Sequence, residues 1–226
     1  MRNYPDAVML FAAGFGTRMR DLTANQPKPL IKIGNKALID HTIDLIGDAQ
    51  IPNIVANTHY LPDQIVSHLS GSPVRTILED PEILETGGGL RNALTLLGNG
   101  PVFTANTDAI WKGPNPFKTL KSRWDPERMD ALLLCVPAEK ALGHSGAGDF
   151  ILDQNGQLSR GPGVIYGGIQ IIKTERLAEI SERVFSLNKL WNLFHDANTL
   201  FGLSYDGQWC DVGTPEGIPL AETLLD

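Results

Sequence analysis

The chain has 226 residues, with 19 Lys and Arg against 26 Asp and Glu, and a formal net charge of -7. An apolar fraction of 42% and a charged fraction of 20% exclude a disordered chain, and the acidic balance weighs against a general nucleic-acid or anionic-membrane binder, which needs a basic face. The length suits one sizeable α/β domain, or at most two small ones, with enough chain for a packed core.

Arg2 and the apolar run at residues 7–13 imitate a short secretory leader, but Asp6 abuts the run and a glycine turn follows it. No apolar stretch approaches the ~20 residues that span a bilayer, so no membrane is expected. Short apolar runs at 7–12, 53–57, 74–78, 101–105 and 131–136 predict buried strands. Amphipathic stretches at 36–49, 62–69 and 89–97 predict the helices between them. Strands joined by crossover helices give an open, twisted, mostly parallel sheet.

From about Gly146 the rhythm changes. Strands are predicted at 149–152, 157–160 and 164–172, with Asn155-Gly156 as a hairpin signal because both positions tolerate positive φ. A helix at 187–197 and strands at 200–205 and 208–212 follow. Thr214-Pro215-Glu216 reads as the start of a last helix, with Thr as N-cap and Pro at the first helical position. Without repeats or linkers, one domain is the simpler count. Cys135 and Cys210 are too far apart for a zinc pair and too few for a disulfide scaffold, so a reducing cytoplasm is the expected location.

The stretch from Phe11 to Arg20, Phe-Ala-Ala-Gly-Phe-Gly-Thr-Arg-Met-Arg, continues to Pro27-Lys28-Pro29-Leu30. A glycine loop straight after a buried strand turns backbone N–H groups toward an anion and lets a nucleotide lie on the backbone. Met19 stands where a dinucleotide fingerprint needs its third Gly, and there is no Walker loop. Arg18 and Lys28 add fixed positive charge, and the flanking prolines hold Lys28 in a stiff, extended segment.

These residues resemble the opening signature of the sugar nucleotidyltransferase family, LAAGxGTRLxPLT followed by PKPL. Phe11 replaces the usual Leu, and Asp21 replaces the usual Pro. Three further segments extend the resemblance over nearly the whole chain. Glu85-Thr86-Gly87-Gly88-Gly89 precedes an apolar helix and reads either as a side-chain-free shelf with free N–H donors for a base or as a plain connection. Asn106-Thr107-Asp108 ends a strand where open α/β sheets gather ligands, although an Asp there also suits a turn. Trp209-Cys210-Asp211-Val212-Gly213-Thr214-Pro215-Glu216 resembles the family's closing W-x-D-V-G-T-P-E, and reads otherwise as a turn with a helix cap.

The resemblance implies a Rossmann-like α/β fold with a small antiparallel part. The nucleotide would occupy residues up to about 135, and a sugar phosphate the remainder. It implies joining of an NTP and a sugar 1-phosphate into NDP-sugar and pyrophosphate, by a monomer or homodimer. UTP and N-acetylmuramate 1-phosphate are favoured, with guanylyl transfer to mannose 1-phosphate as the alternative. Arg18 and Lys28 would be catalytic, and Asp108 with Asp211 would hold Mg²⁺. Ala12, Ala13, Gly14, Gly16, Thr17, Glu85, Thr86, Gly87, Gly88 and Asn106 would contact the nucleotide. Asp149, Gly168 and Lys189 would contact the sugar phosphate, Lys189 standing in for a phosphate-binding Lys that some relatives place at Ser186. The departures at Asp21 and Thr107 keep a catalytically silent binding module as the rival. Asn57 to Tyr60 would be a satisfied strand end or a family landmark. His41, His68, His144 and His195 form no metal spacing.

Overall fold

A computed structural model describes residues 3–226, so Arg2 lies outside the described residues. The first half comprises β1 (Ala7–Phe11), a hairpin of β2 (Lys32–Ile33) and β3 (Lys36–Ala37), α1 (Leu38–Asp48), β4 (Asn53–Thr58) and α2 (Pro62–His68). It continues through β5 (Val74–Leu78), α3 (Glu85–Leu97), β6 (Val102–Asn106), β7 (Ala109–Lys112), α4 (Pro116–Arg123) and β8 (Ala131–Val136). Then come β9 (Ala141–Leu142), β10 (Phe150–Leu152), β11 (Leu158–Arg160) and β12 (Ile165–Ile172). The chain closes with α5 (Asn188–Asp196), β13 (Leu200–Ser204), β14 (Gln208–Asp211) and α6 (Gly217–Leu225).

The main sheet has seven strands in the order β13-β8-β12-β6-β1-β4-β5. β12 alone runs against its neighbours, pairing antiparallel with β6 and β8. The fold is therefore the expected mostly parallel mixed sheet. β12 and β13, from the part assigned to the sugar phosphate, complete the same sheet as the nucleotide part.

The pleat divides β1 between two cores. Val8 and Leu10 pack with Ile39 and Ile46 of α1 and with Phe117 and Leu120 of α4. Ala7 and Met9 face Leu90 and Ala93 of α3 and Leu190 and Phe194 of α5 on the other side. Both faces are covered, which is why the strands read as continuous apolar runs.

Three predicted boundaries need correction. The helix expected from residue 36 starts at Leu38, because Gly34-Asn35 closes a two-residue turn that puts Lys36 opposite Ile33. The helix expected from residue 89 starts at Glu85 and takes the triple glycine into its first turns. Thr214 does not cap α6, which begins at Gly217 after a turn in which Gly217 N–H donates to Thr214 O at 3.0 Å. β7 and α4 are additional elements; Asn115 caps α4 by accepting from Phe117 and Lys118 N–H. No helix among the described residues is long and apolar enough to cross a membrane.

Candidate active site

The chain passes from β1 to β4 and β5 on one side, then returns to place β6 on the other side of β1. At such a switch point the two connections diverge and leave a crevice beyond the carboxyl ends of the strands. A cavity of about 310 Å³ opens there. Its walls include Ala12, Ala13, Gly14, Gly16, Thr17, Arg18 and Lys28 after β1, Glu85 and Thr86 at the start of α3, and Asn106, Thr107 and Asp108 after β6.

Buried hydrogen bonds hold the loop after β1. Ala12 N–H donates to Asn57 Oδ1 at 2.7 Å, and Asn57 Nδ2 donates to Glu79 Oε1 at 2.7 Å. Glu79, 1% exposed, accepts from Leu84 N–H through its other oxygen at 2.7 Å. One carboxylate thus ties the first residue of the glycine loop to the residue preceding α3. Asn57 does more than satisfy a strand end, since it also lines the cavity. Thr107 Oγ1 donates to Phe11 O at 2.9 Å, so the departure from glycine cross-links the ends of β1 and β6. At Gly16, φ is +64° and a Cβ would come within 2.9 Å of Lys28 Cβ, so the loop turns tightly against the lysine only with glycine.

Asp108 lines this end of the cavity, and Asp211, from a distant segment, lies near enough to feel its charge without itself lining the cavity. β14 pairs antiparallel with β7, placing Asp211 opposite Ala109, and Val212 N–H donates to Asp108 O at 2.9 Å. Lys28 Nζ lies 2.7 Å from Asp108 Oδ2. A Cβ on Gly213 would fall 2.8 Å from Arg18 Nη1 and 2.9 Å from Asp211 Oδ1, so guanidinium and carboxylate flank that glycine. Burial, and then the like charge of Asp108, push the Asp211 carboxyl above its ordinary range, while Lys28 and Arg18 pull it down. Asp21 is exposed and outside the cavity wall.

Asp108 and Asp211 are hard oxygen donors suited to a cation such as Mg²⁺. No group of three or more His, Cys, Asp or Glu that could hold a metal occurs among the described residues. Two carboxylates with phosphate oxygens and water are the set Mg²⁺ uses, so the residues fit that ion. Burial, then the Asp211 charge, raise the Cys210 thiol to about 11.

A second cavity of about 270 Å³ shares Phe11, Thr86 and Asn106 with the first and extends past Asp149, Arg160, Tyr166, Ser186, Asn188 and Trp191. Asp149 reaches this wall, with Oδ2 accepting Tyr166 N–H at 2.9 Å. The other residues expected to contact substrate are placed differently. Lys189 pairs with Glu182 and lines neither cavity. Gly168 is buried behind Asn106, where φ of +94° and a Cβ 3.0 Å from the Asn106 side chain make glycine necessary. Gly87 and Gly88 offer no free donors, because both N–H groups donate to Phe185 O at 2.9 and 3.0 Å. Their missing side chains make room for the 183–187 segment: a Cβ would come within 2.4 Å of the Phe185 ring at Gly87 and 2.5 Å of Arg183 O at Gly88. Arg160, on the wall of the second cavity, and Glu79, which braces the loop of the first, are residues that sequence reasoning missed. Neither belongs to a motif or a periodic pattern.

Residues 8–158 match the MobA-like NTP transferase domain. The chain is 37% identical to the N-acetylmuramate alpha-1-phosphate uridylyltransferase of Caulobacter vibrioides, covering 100% of this chain and 99% of that protein. It is 28% identical to the mannose-1-phosphate guanyltransferase of Saccharomyces cerevisiae, over 96% of this chain and 63% of that longer protein. In fold it is similar to HddC from Yersinia pseudotuberculosis solved with GMP-PN, with a TM-score of 0.80 at 22% identity, covering 97% of this chain and 99% of that one. On the family match and the full-length relative, the chain belongs to the MobA-like NTP transferases and, within them, to the sugar-phosphate nucleotidyltransferases.

Proposed function

We propose that the protein is a Mg²⁺-dependent uridylyltransferase that joins UTP and N-acetylmuramate 1-phosphate into UDP-N-acetylmuramate and pyrophosphate, in a reducing cytoplasm. The carrying observation is the cluster at the mouth of the glycine loop, with Lys28 on Asp108 and Arg18 beside Asp211. The substrate pair is supported by the 37% identical relative, whose whole length this chain matches. The cytoplasmic location agrees with two buried free thiols.

The backbone of Ala12 to Thr17 takes the nucleotide, and Arg18 holds the β- and γ-phosphates that leave as pyrophosphate. Lys28, fixed by Asp108, offsets charge developing on the α-phosphate. Asp108 and Asp211 hold Mg²⁺, which supplies Lewis-acid polarisation of the phosphate oxygens when bound. An oxygen of the sugar phosphate attacks the α-phosphorus in line. One P–O bond forms as the bond to the pyrophosphate oxygen breaks, with no covalent enzyme intermediate. The acceptor is already ionised and needs no general base.

Guanylyl transfer to mannose 1-phosphate is the second reading, favoured by the 28% identical relative over 96% of this chain. Incubation with Mg²⁺, each NTP and a panel of sugar 1-phosphates, followed for pyrophosphate, tests both. Release with UTP and N-acetylmuramate 1-phosphate is the expected result. Faster release with GTP and mannose 1-phosphate selects the second reading. Saturable binding without pyrophosphate from any pair would leave only the silent binding module.

A further inference from the structure

Arg160 stands at the end of β11 on the wall of the second cavity and is the only cation among its lining residues. The cations of neighbouring segments are paired elsewhere, Lys189 with Glu182 and Arg183 with Glu82. Arg160 makes no ion pair among the described residues. Its Nη2 donates to Asn188 Oδ1 at 2.7 Å and Asn192 Oδ1 at 3.3 Å. Its guanidinium carbon lies 4.6 Å from the centre of the Phe150 ring and 5.5 Å from that of Trp191. Two neutral amides and two rings therefore fix the plane of the guanidinium without cancelling its charge. Nε and Nη1 have no protein acceptor among the described residues. Partial burial pulls the guanidinium pKa down, with the Asp149 charge acting the other way. A fixed fork with open donors and no ion pair, on the wall of a cavity that shares Phe11, Thr86 and Asn106 with the first, is built to receive an anion.

We propose that Arg160 binds an anionic group of the acceptor substrate, its open donors taking the oxygens of a phosphate or of a carboxylate carried on the sugar. The proposal rests on the sugar-phosphate reading above and assigns the acceptor's cation to β11 rather than to Lys189. Both sources present the same chemistry, two anionic oxygens in a plane that a guanidinium matches.

The test measures wild type, Arg160→Gln, Arg160→Lys and Lys189→Ala with N-acetylmuramate 1-phosphate and with N-acetylglucosamine 1-phosphate, which lacks the carboxylate. The readouts are acceptor KM, NTP KM and calorimetric affinity for each sugar phosphate. Arg160→Gln is expected to weaken acceptor binding on the order of tenfold to a hundredfold, the range of a lost charge-assisted hydrogen bond. NTP KM and the thermal midpoint stay near wild type, Arg160→Lys recovers part of the loss, and Lys189→Ala changes acceptor binding less than twofold. Loss with both acceptors assigns Arg160 to the phosphate, and loss confined to N-acetylmuramate 1-phosphate assigns it to the carboxylate. Unchanged acceptor affinity in Arg160→Gln, or an equal rise in NTP KM, overturns the proposal. Absence of turnover in wild type counts against the uridylyltransferase reading alone, because calorimetry still reads Arg160.

Discussion

Lys28 Nζ and Asp108 Oδ2 lie 2.7 Å apart although 80 residues separate them in the chain. The contact spans the crevice between the connection after β1 and the connection after β6, so it forms only when those strands are paired. It also sets the lysine's direction: a flexible four-carbon side chain, largely buried, is held toward the place where phosphate charge would gather.

Lys28→Ala is expected to lower kcat by about 10²-fold or more, the scale of losing one preorganised charge, with little change in NTP KM. Far-UV circular dichroism and the melting midpoint should stay close to wild type, because Asp108 remains partly open to water. A variant with an ordinary turnover number would remove Lys28 from the chemistry.

Asp211→Asn separates stability from activity. The folded-state pKa of Asp211 is raised, so the folded protein binds this proton more tightly than the unfolded chain does. Its contribution to stability is fully present at pH below 3.8 and is lost as pH rises through the elevated folded value. At neutral pH the ionised carboxylate therefore costs stability, and the Asn variant should melt higher without Mg²⁺, the difference closing as the buffer approaches pH 3.8. Added Mg²⁺ with nucleotide should raise the melting midpoint of wild type more than that of the variant, and metal-dependent turnover should be lost. A variant that melts lower than wild type at neutral pH would contradict the sign.

The parts of this site legible in the sequence are those whose chemistry sits within one short segment. Gly14, Gly16 and Arg18 follow a buried strand, and Asp108 ends another, so local pattern and sheet geometry suffice to place them. The triple glycine is misread as a shelf because its reason is tertiary: Phe185, far along the chain, packs against Gly87 and accepts its N–H bond. Arg160 is illegible for a related reason. Nothing near it in sequence marks it, and its meaning comes from the rings of Phe150 and Trp191 and from amides on α5. Position along the chain also gives no direction: α5 turns the Lys189 side chain toward Glu182.

Gly87→Ala tests the packing account. A Cβ there would sit 2.4 Å from Phe185 Cε2 and 2.9 Å from its carbonyl oxygen, so the 185–188 segment must shift. The expected cost is about 1–3 kcal/mol, as for overpacking elsewhere. Ser186 and Asn188 move with that segment, so acceptor KM should rise more than NTP KM. Gly14→Ala is the contrast, because its Cβ would meet nothing within 4 Å yet lies on the nucleotide cavity. It should leave stability unchanged and raise NTP KM, and the opposite pattern for the pair would sink the argument.

Asn57→Ala probes the buried relay beneath the glycine loop. Removing the amide leaves Ala12 N–H without its acceptor and Glu79 Oε1 without its donor, both in a region closed to water. Orphaning two buried polar groups costs about 2–6 kcal/mol, since each carries its own desolvation penalty. Urea denaturation should show the unfolding free energy falling by that amount, seen as a lower midpoint at an unchanged m-value. The loop entered by Ala12 would lose its anchor to β4, so nucleotide affinity should fall as well, whereas acceptor binding in the second cavity, away from that loop, should fall less. If denaturation shows Asn57→Ala to be as stable as wild type, the relay does not anchor the loop, and its order rests on the Thr107–Phe11 bond and on the Thr23 and Met19 bonds to Gly16 O.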